Sequence, residues 1–185
     1  MKKIILLLLL LTGLLMAQFE AGTVSVGSLM SYSSYKASND DDDPLIVTSI
    51  GSTQSILTVK PNLSFFILRN LSIDGILGFT LQNEGNSELS RKIFGGGATF
   101  YLGNIYFGGG ILEMSSDYGD HDTSSNYAEL HGGYLLGMVK NVFLDFGVSN
   151  LIGIGEIKYN NDDTGIENED MVVHLNVGIR AFMHK

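Results

Sequence analysis

The chain contains no cysteine, no tryptophan and only two prolines in 185 residues. Without cysteine there is no disulfide to staple the fold and no lipid-modified cysteine to anchor it, so stability has to come from hydrogen bonds and burial. Positive charge is also scarce: 11 Lys and Arg stand against 20 Asp and Glu, a net charge of −9. The absence of a basic cluster excludes nucleic acid as a partner, since that affinity rests on Lys and Arg neutralising phosphates. After the opening segment there is no apolar run long enough for a membrane helix, although 44% of the residues are hydrophobic and 23 are glycine.

The one long apolar run comes first. In MKKIILLLLLLTGLLMAQFEAG, Lys2 and Lys3 precede a hydrophobic stretch from Ile4 that leads to the small residue Ala17. This is the layout of a secretory signal peptide, and it is short for a spanning helix, which needs ~20 apolar residues. Cleavage is predicted after Ala17, which makes 1–17 a signal peptide and 18–185 one exported, acidic domain.

Alternation explains the remaining hydrophobicity. From Leu71 to Gln82, Leu71, Ile73, Leu77, Phe79 and Leu81 share one face while Ser72, Asp74, Thr80 and Gln82 share the other. A period of two means strand. Ser55 to Ile67 behaves likewise, as do Leu130 to Met138 and Val142 to Val148. In Met171 to Met183, Val173, Leu175, Val177, Ile179 and Ala181 oppose His174, Asn176, Gly178 and Arg180. The first strand, Thr23 to Tyr35, is less regular. Eight strands result, centred near residues 28, 60, 76, 97, 110, 132, 147 and 177.

Three tight connections, Leu68-Arg69-Asn70, Leu102-Gly103-Asn104 and Val139-Lys140-Asn141, end in the non-glycine residue that best tolerates a left-handed backbone. They predict three-residue hairpin loops pairing Ile67 with Leu71, Tyr101 with Ile105 and Met138 with Val142. In FGGGATFYLGNIYFGGG (94–110) that register sets Phe94, Gly96, Ala98 and Phe100 beside Tyr106, Gly108, Gly110 and Leu112 on the outer face. Gly97, Thr99, Tyr101, Phe107 and Glu113 then turn inward. A phosphate-cradling role for the glycines needs a helix after the strand, which the pattern denies. In a narrow barrel they relieve crowding where Tyr101 and Phe107 point in.

The other connections are long and polar: KASNDDDDP from Lys36, NEGNSELS from Asn83, DYGDHDTSS from Asp117 and NNDDTGIENED from Asn160. Short turns at one rim and long loops at the other mark outer-membrane barrels, with the short side periplasmic. Closure satisfies every backbone group between strands, so each segment needs one apolar face only. Phe65, Phe100, Tyr106, Phe143 and Phe182, near the short turns, suit the periplasmic interface. The expected fold is therefore all-β, an eight-stranded antiparallel up-and-down transmembrane β-barrel bathed in outer-membrane lipid.

In its signal peptide, eight alternating strands and four long loops the chain resembles the small outer-membrane barrels of the OmpX and OmpA transmembrane-domain type. Its end, Asn176-Val177-Gly178-Ile179-Arg180-Ala181-Phe182-Met183, is similar to the family's C-terminal assembly signal. Asn176, Gly178, Ala181 and Met183 occupy the polar, glycine and two hydrophobic places. Such signals usually finish on a terminal aromatic, whereas Met183 holds that place here and His184 and Lys185 follow. The resemblance implies the outer membrane of a Gram-negative-type bacterium and insertion by the outer-membrane assembly machinery. It brings no catalytic motif and no cofactor.

Inward positions include Lys60, Asp74, Arg91, Glu113, Glu129, His131, Asp145, His174 and Arg180. Such an array could be a proton relay or a metal site. A lumen packed with ion pairs is the plainer reading, because an unpaired charge in low dielectric is very costly. Asp145 and Arg180 are the expected pair near the periplasmic end. His131, His174 and Glu129 lack any local ligand spacing for a metal. A lipid hydrolase needs serine, histidine and carboxylate together near the outer rim; Ser149 is predicted near His131, but both point inward.

Asp40 to Asp43 and the run from Asp162 to Asp170 place negative charge on the loops, where divalent cations or a basic extracellular partner would bind. Asn160 to Gly165 is a poor calcium loop, with Met171 where a bidentate Glu belongs. The sequence thus points to envelope integrity or surface contact rather than catalysis. The alternatives are a narrow pore for ions or small solutes, and a soluble secreted lipocalin-like barrel with its faces inverted.

Overall fold

A computed structural model describes residues 19–36, 53–84, 87–117, 122–160, 162–168 and 170–183. The expected signal peptide, Asp40 to Asp43 and the last two residues lie outside them. Nine strands follow in order: β1 Val24–Lys36, β2 Thr53–Leu68, β3 Leu71–Glu84, β4 Ser87–Leu102, β5 Ile105–Asp117, β6 Asp122–Val139, β7 Val142–Tyr159, β8 Asp162–Glu167 and β9 Met171–Met183. Neighbours from β1 to β7 pair antiparallel, and β9 pairs with both β7 and β1. Eight strands therefore close an up-and-down barrel, as the alternation required. The ninth, β8, pairs with the far end of β7, at Lys158↔Asp163 and Tyr159↔Asp162.

The loop end departs from expectation in extent. The stretch from Asn160, read as an irregular loop, is a hairpin of β7 and β8. Most of NEGNSELS and part of DYGDHDTSS are strand as well, so β3 and β4 are joined through 85–86 and β5 and β6 through 118–121. A ladder forms through the backbone whatever the side chains, so polar sequence does not stop a strand whose neighbour continues.

Two of the three tight turns keep the predicted facing along their strands, although at the turn itself Leu68 pairs with Leu71 and Val139 with Val142, in place of the expected Ile67 with Leu71 and Met138 with Val142. Phe66 faces Ser72 and Gly137 faces Phe143, each with an irregularity before the turn, and Asn70 and Asn141 both have φ of 64°. The middle turn differs: Leu102 pairs with Ile105 and Tyr101 with Tyr106, and the positive φ, 63°, belongs to Gly103 rather than Asn104. Glycine in the first central place makes a two-residue loop of the II′ kind. A one-residue slip moves every side chain to the other face, so the expectation for β5 is inverted. Tyr106, Gly108, Gly110 and Leu112 point inward; Phe107, Ile111 and Glu113 point outward and are exposed.

This register explains the glycine runs. Gly97 of β4 lies opposite Gly110 of β5, both on the inner face, and a Cβ on Gly97 would sit 2.9 Å from Gly110 Cα. The two backbones approach too closely for any side chain between them. Gly97→Ala is expected to cost about 1–3 kcal/mol through overpacking, read as a lower urea midpoint for the folded barrel on gels. An unchanged midpoint would mean the strands part freely there.

The interior has two apolar layers. At the turn end Phe19, Phe66, Tyr101, Tyr106, Leu135 and Phe182 cluster with Phe143. Tyr106, Phe143 and Phe182, expected at the membrane interface, are therefore inside, while Phe65 and Phe100 face out. Toward the loop end Ile76, Ile93, Leu112, Tyr127 and Leu151 form a second layer with Met114. Outside, every wall strand from β1 to β9 presents exposed apolar side chains, up to 68% exposure at Phe94 and 77% at Leu175.

Candidate functional site: the polar lumen

Between the apolar layers the inward positions of β2, β3, β4, β6, β7 and β9 carry polar and charged side chains. In one cluster Lys60 Nζ lies 2.5 Å from Glu129 Oε1, and His131 Nδ1 lies 3.6 Å from Glu129 Oε2. His131 Nε2 is 2.9 Å from Thr99 Oγ1, which donates to Asp74 Oδ2 at 2.5 Å; Ser72 Oγ donates to Asp74 Oδ1 at 2.8 Å. Lys60, Glu129 and Asp74 are all buried, so their charges depend on these partners.

The second cluster lies nearer the turn end. Arg180 places Nη2 at 2.8 Å and Nε at 3.0 Å from Asp145 Oδ2, and its Nη1 donates to the Tyr101 hydroxyl at 2.6 Å. The Tyr106 hydroxyl donates to Asp145 Oδ1 at 2.6 Å, and the guanidinium carbon lies 5.2 Å from the Tyr106 ring centroid. Asp145 and Arg180 can meet because Asp145 faces Gly178 across the β7–β9 ladder, which leaves a two-residue diagonal with no side chain in the way.

A cavity of about 30 Å³ separates the clusters, lined by Lys60, Asp74, Thr99, Glu129, His131 and Arg180 among others. That is room for about one or two waters. Glu129, His131 and Thr99 stand in the order of a carboxylate–imidazole–hydroxyl relay. Thr99, however, gives its hydrogen to Asp74 and is buried, and the cavity it lines is only about 30 Å³. Ser149 does face His131 across the β6–β7 ladder, but its hydroxyl accepts from Asn176 Nδ2 at 3.1 Å.

His174 lines a different cavity, toward the loop end, together with Arg91. Glu113, read as inward, lies on the outside because of the β5 register. Sequence reasoning missed Thr99 and Tyr106 as partners: Tyr106 was on the wrong face, and a lone Thr on an inward position carries no signal until its neighbour is known. Thr99→Val is expected to destabilise by about 1–3 kcal/mol, since Asp74 loses a buried donor, with Thr99→Ser close to wild type. Urea titration of the folded band separates the two, and equal losses would show that the methyl group matters instead of the hydroxyl.

The four places of the C-terminal motif divide between faces. Asn176 is buried inside, Gly178 lies against the backbone of Ser28, where an added Cβ would collide, and Ala181 and Met183 belong to the outer wall.

No family model and no curated protein matches the chain. Among solved structures it is similar to the crystal structure of Neisserial surface protein A, with a TM-score of 0.53 at 15% identity over 89% of this chain and 98% of that one. The likeness is one of fold, a closed eight-stranded antiparallel barrel.

Proposed function

We propose that the chain is an integral outer-membrane protein whose barrel spans the membrane, with the short turns in the periplasm and the polar hairpins outside, serving envelope integrity or surface contact. One observation carries this reading: the wall is apolar outside while the lumen holds the buried charges. A soluble protein rarely exposes an apolar patch of more than a few hundred Å², and a lipocalin-like barrel would put these faces inside. In hydrocarbon, a closed ladder with a lipid-facing apolar belt is the arrangement a β protein needs.

Residues 1–17 serve as the export signal in this reading, and Asn176, Gly178, Ala181 and Met183 are offered to the assembly machinery. The acidic hairpin from Asp162 to Asp170 is where divalent cations or a basic partner would bind. Two apolar layers and the salt-bridged middle block the lumen, which favours a structural role over the pore and predicts silence in planar bilayers. The engaged hydrogen of Thr99 supports a role without catalysis.

The test is gel mobility of the membrane fraction with and without boiling in detergent. A closed barrel stays compact when cold and shifts when heated, so a heat-dependent shift in outer-membrane material is expected. A soluble protein without a shift would overturn the reading.

A further inference from the structure

The seam between the first and last strands is incomplete toward the loop end. Pairs between β1 and β9 run from Val24↔Met183 to Ser31↔Asn176. Beyond that, among the described residues, β1 continues on β2 alone and β9 on β7 alone, through Ile152↔Met171. Among the described residues the upper part of β9 therefore has one unpaired edge. Behind it lies a cavity of about 80 Å³ to which Asp170, Val172 and His174 contribute from that edge. Asp170 and Val172 are exposed, so the cavity opens at the loop end rather than being sealed in the barrel.

The polar groups in it are only partly used. Tyr127 donates its hydroxyl to Asp170 Oδ2 at 3.1 Å. Arg91 Nε and His174 Nδ1 are buried and, among the described residues, have no hydrogen-bond partner. Arg91 Nε carries a hydrogen that must be donated, and His174 Nδ1 donates or accepts according to its tautomer. Met114 and Leu151 supply an apolar floor.

Each class of occupant meets these groups differently. An inorganic oxyanion would satisfy Arg91 but face the Asp170 carboxylate, and a divalent cation would satisfy Asp170 but face the Arg91 guanidinium. A lipid chain would leave both orphaned nitrogens without partners, which is the costly outcome for buried polar groups. A neutral group bearing several hydroxyls can accept from Arg91, exchange a hydrogen bond with His174 and donate to Asp170, while its C–H face lies on the apolar floor. The space exceeds what one water needs, ~10–15 Å³, several times over.

We propose that this cavity binds a single sugar ring, or the hydroxyl-bearing edge of one, presented from outside the cell. The proposal rests on the orientation argued above, with the loop end at the surface. It names a partner chemistry for surface contact that the acidic hairpins do not.

The experiment is an NMR titration of isotope-labelled protein in phosphocholine micelles, which carry no sugar, with the methyl glycosides of glucose, galactose and mannose. Inorganic phosphate and calcium chloride are titrated in parallel. At least one glycoside should give saturable amide shifts confined to Tyr127, Leu151, Val172, His174 and their neighbours. Arg91→Gln and Asp170→Asn should each weaken that binding at least tenfold while keeping the heat-dependent gel shift. Asp170 lies at the rim, so its variant serves if Arg91→Gln does not fold.

Absence of a saturable shift with all three glycosides would overturn the proposal in favour of a water-filled cavity. Saturable shifts with phosphate or calcium alone would overturn it in favour of an ion site, and unchanged glycoside affinity in both variants would place the sugar elsewhere. None of these touches the membrane reading, which stands or falls on the gel shift of the unmodified protein.

Discussion

A barrel carrying Asp145→Ala is expected to lose about 3–5 kcal/mol of stability, because the change strands a buried guanidinium. Arg180 is 3% exposed and Asp145 is fully buried. Arg180 puts two nitrogens on one carboxylate oxygen while Tyr106 occupies the other. Removing the carboxylate leaves Arg180 with the Tyr101 hydroxyl and the Tyr106 ring, neither of which balances its charge. Replacing both partners, Asp145→Leu with Arg180→Met, should recover much of the loss, since two apolar side chains of similar size leave no charge to satisfy. The readout is the urea midpoint of the band that shifts on heating. A single-variant loss under ~1 kcal/mol would show that water reaches the pair and screens it, as at a surface ion pair.

Phe19→Ala should cost a comparable amount, about 3–5 kcal/mol for a buried aromatic that leaves a hole. Phe19 precedes the first strand, yet it is 3% exposed. Its ring stacks on Phe182 with centroids 4.1 Å apart and meets Phe66 and Tyr101, each at 5.1 Å. The main chain is held as well: Phe19 N donates to Asn70 Oδ1 at 3.0 Å, and Asn70 N donates to Phe19 O at 2.9 Å. The same asparagine that closes the first turn thus ties down the segment beneath the barrel. Phe19→Leu should retain most of the stability, and a Phe19→Ala protein as stable as wild type would mean that this segment is not docked.

Alternation alone makes the barrel legible, because a period of two survives wherever one face meets lipid and the other a packed interior. The lumen is legible for the same reason: Lys60, Asp74, Glu129, Asp145 and Arg180 stand out as charges on strands whose other face is apolar. The β5 error shows where this reasoning fails. In 105–112 the residues Tyr106, Gly108, Gly110 and Leu112 alternate with Phe107, Gly109 and Ile111, so both faces are apolar or glycine. Periodicity then says nothing of which face is inside, and the turn has to decide. Gly103 carries the positive φ one place earlier in its turn than Asn70 and Asn141 do in theirs, and no bulge follows it, so β5 sits one residue out of the expected register. Thr99 was out of reach for a different reason: its role depends on a histidine two strands away and a carboxylate on the other side. Polarity likewise misled at the loop end, where strands persist into acidic sequence because the neighbouring backbone is there to pair.

The contact between Phe19 and Phe182 joins the two ends of the described chain, and the β1–β9 seam does the same along the wall. Closure must therefore wait until the last strand has been made, and the entropy of bringing such distant segments together is met late, when most other pairings exist. A chain interrupted before β9 would hold β1 and β7 as open edges and would lack Phe182, on which Phe19 stacks, from the aromatic layer beneath the barrel. Open edges recruit other chains, so an incomplete copy is an aggregation hazard rather than a partly working barrel.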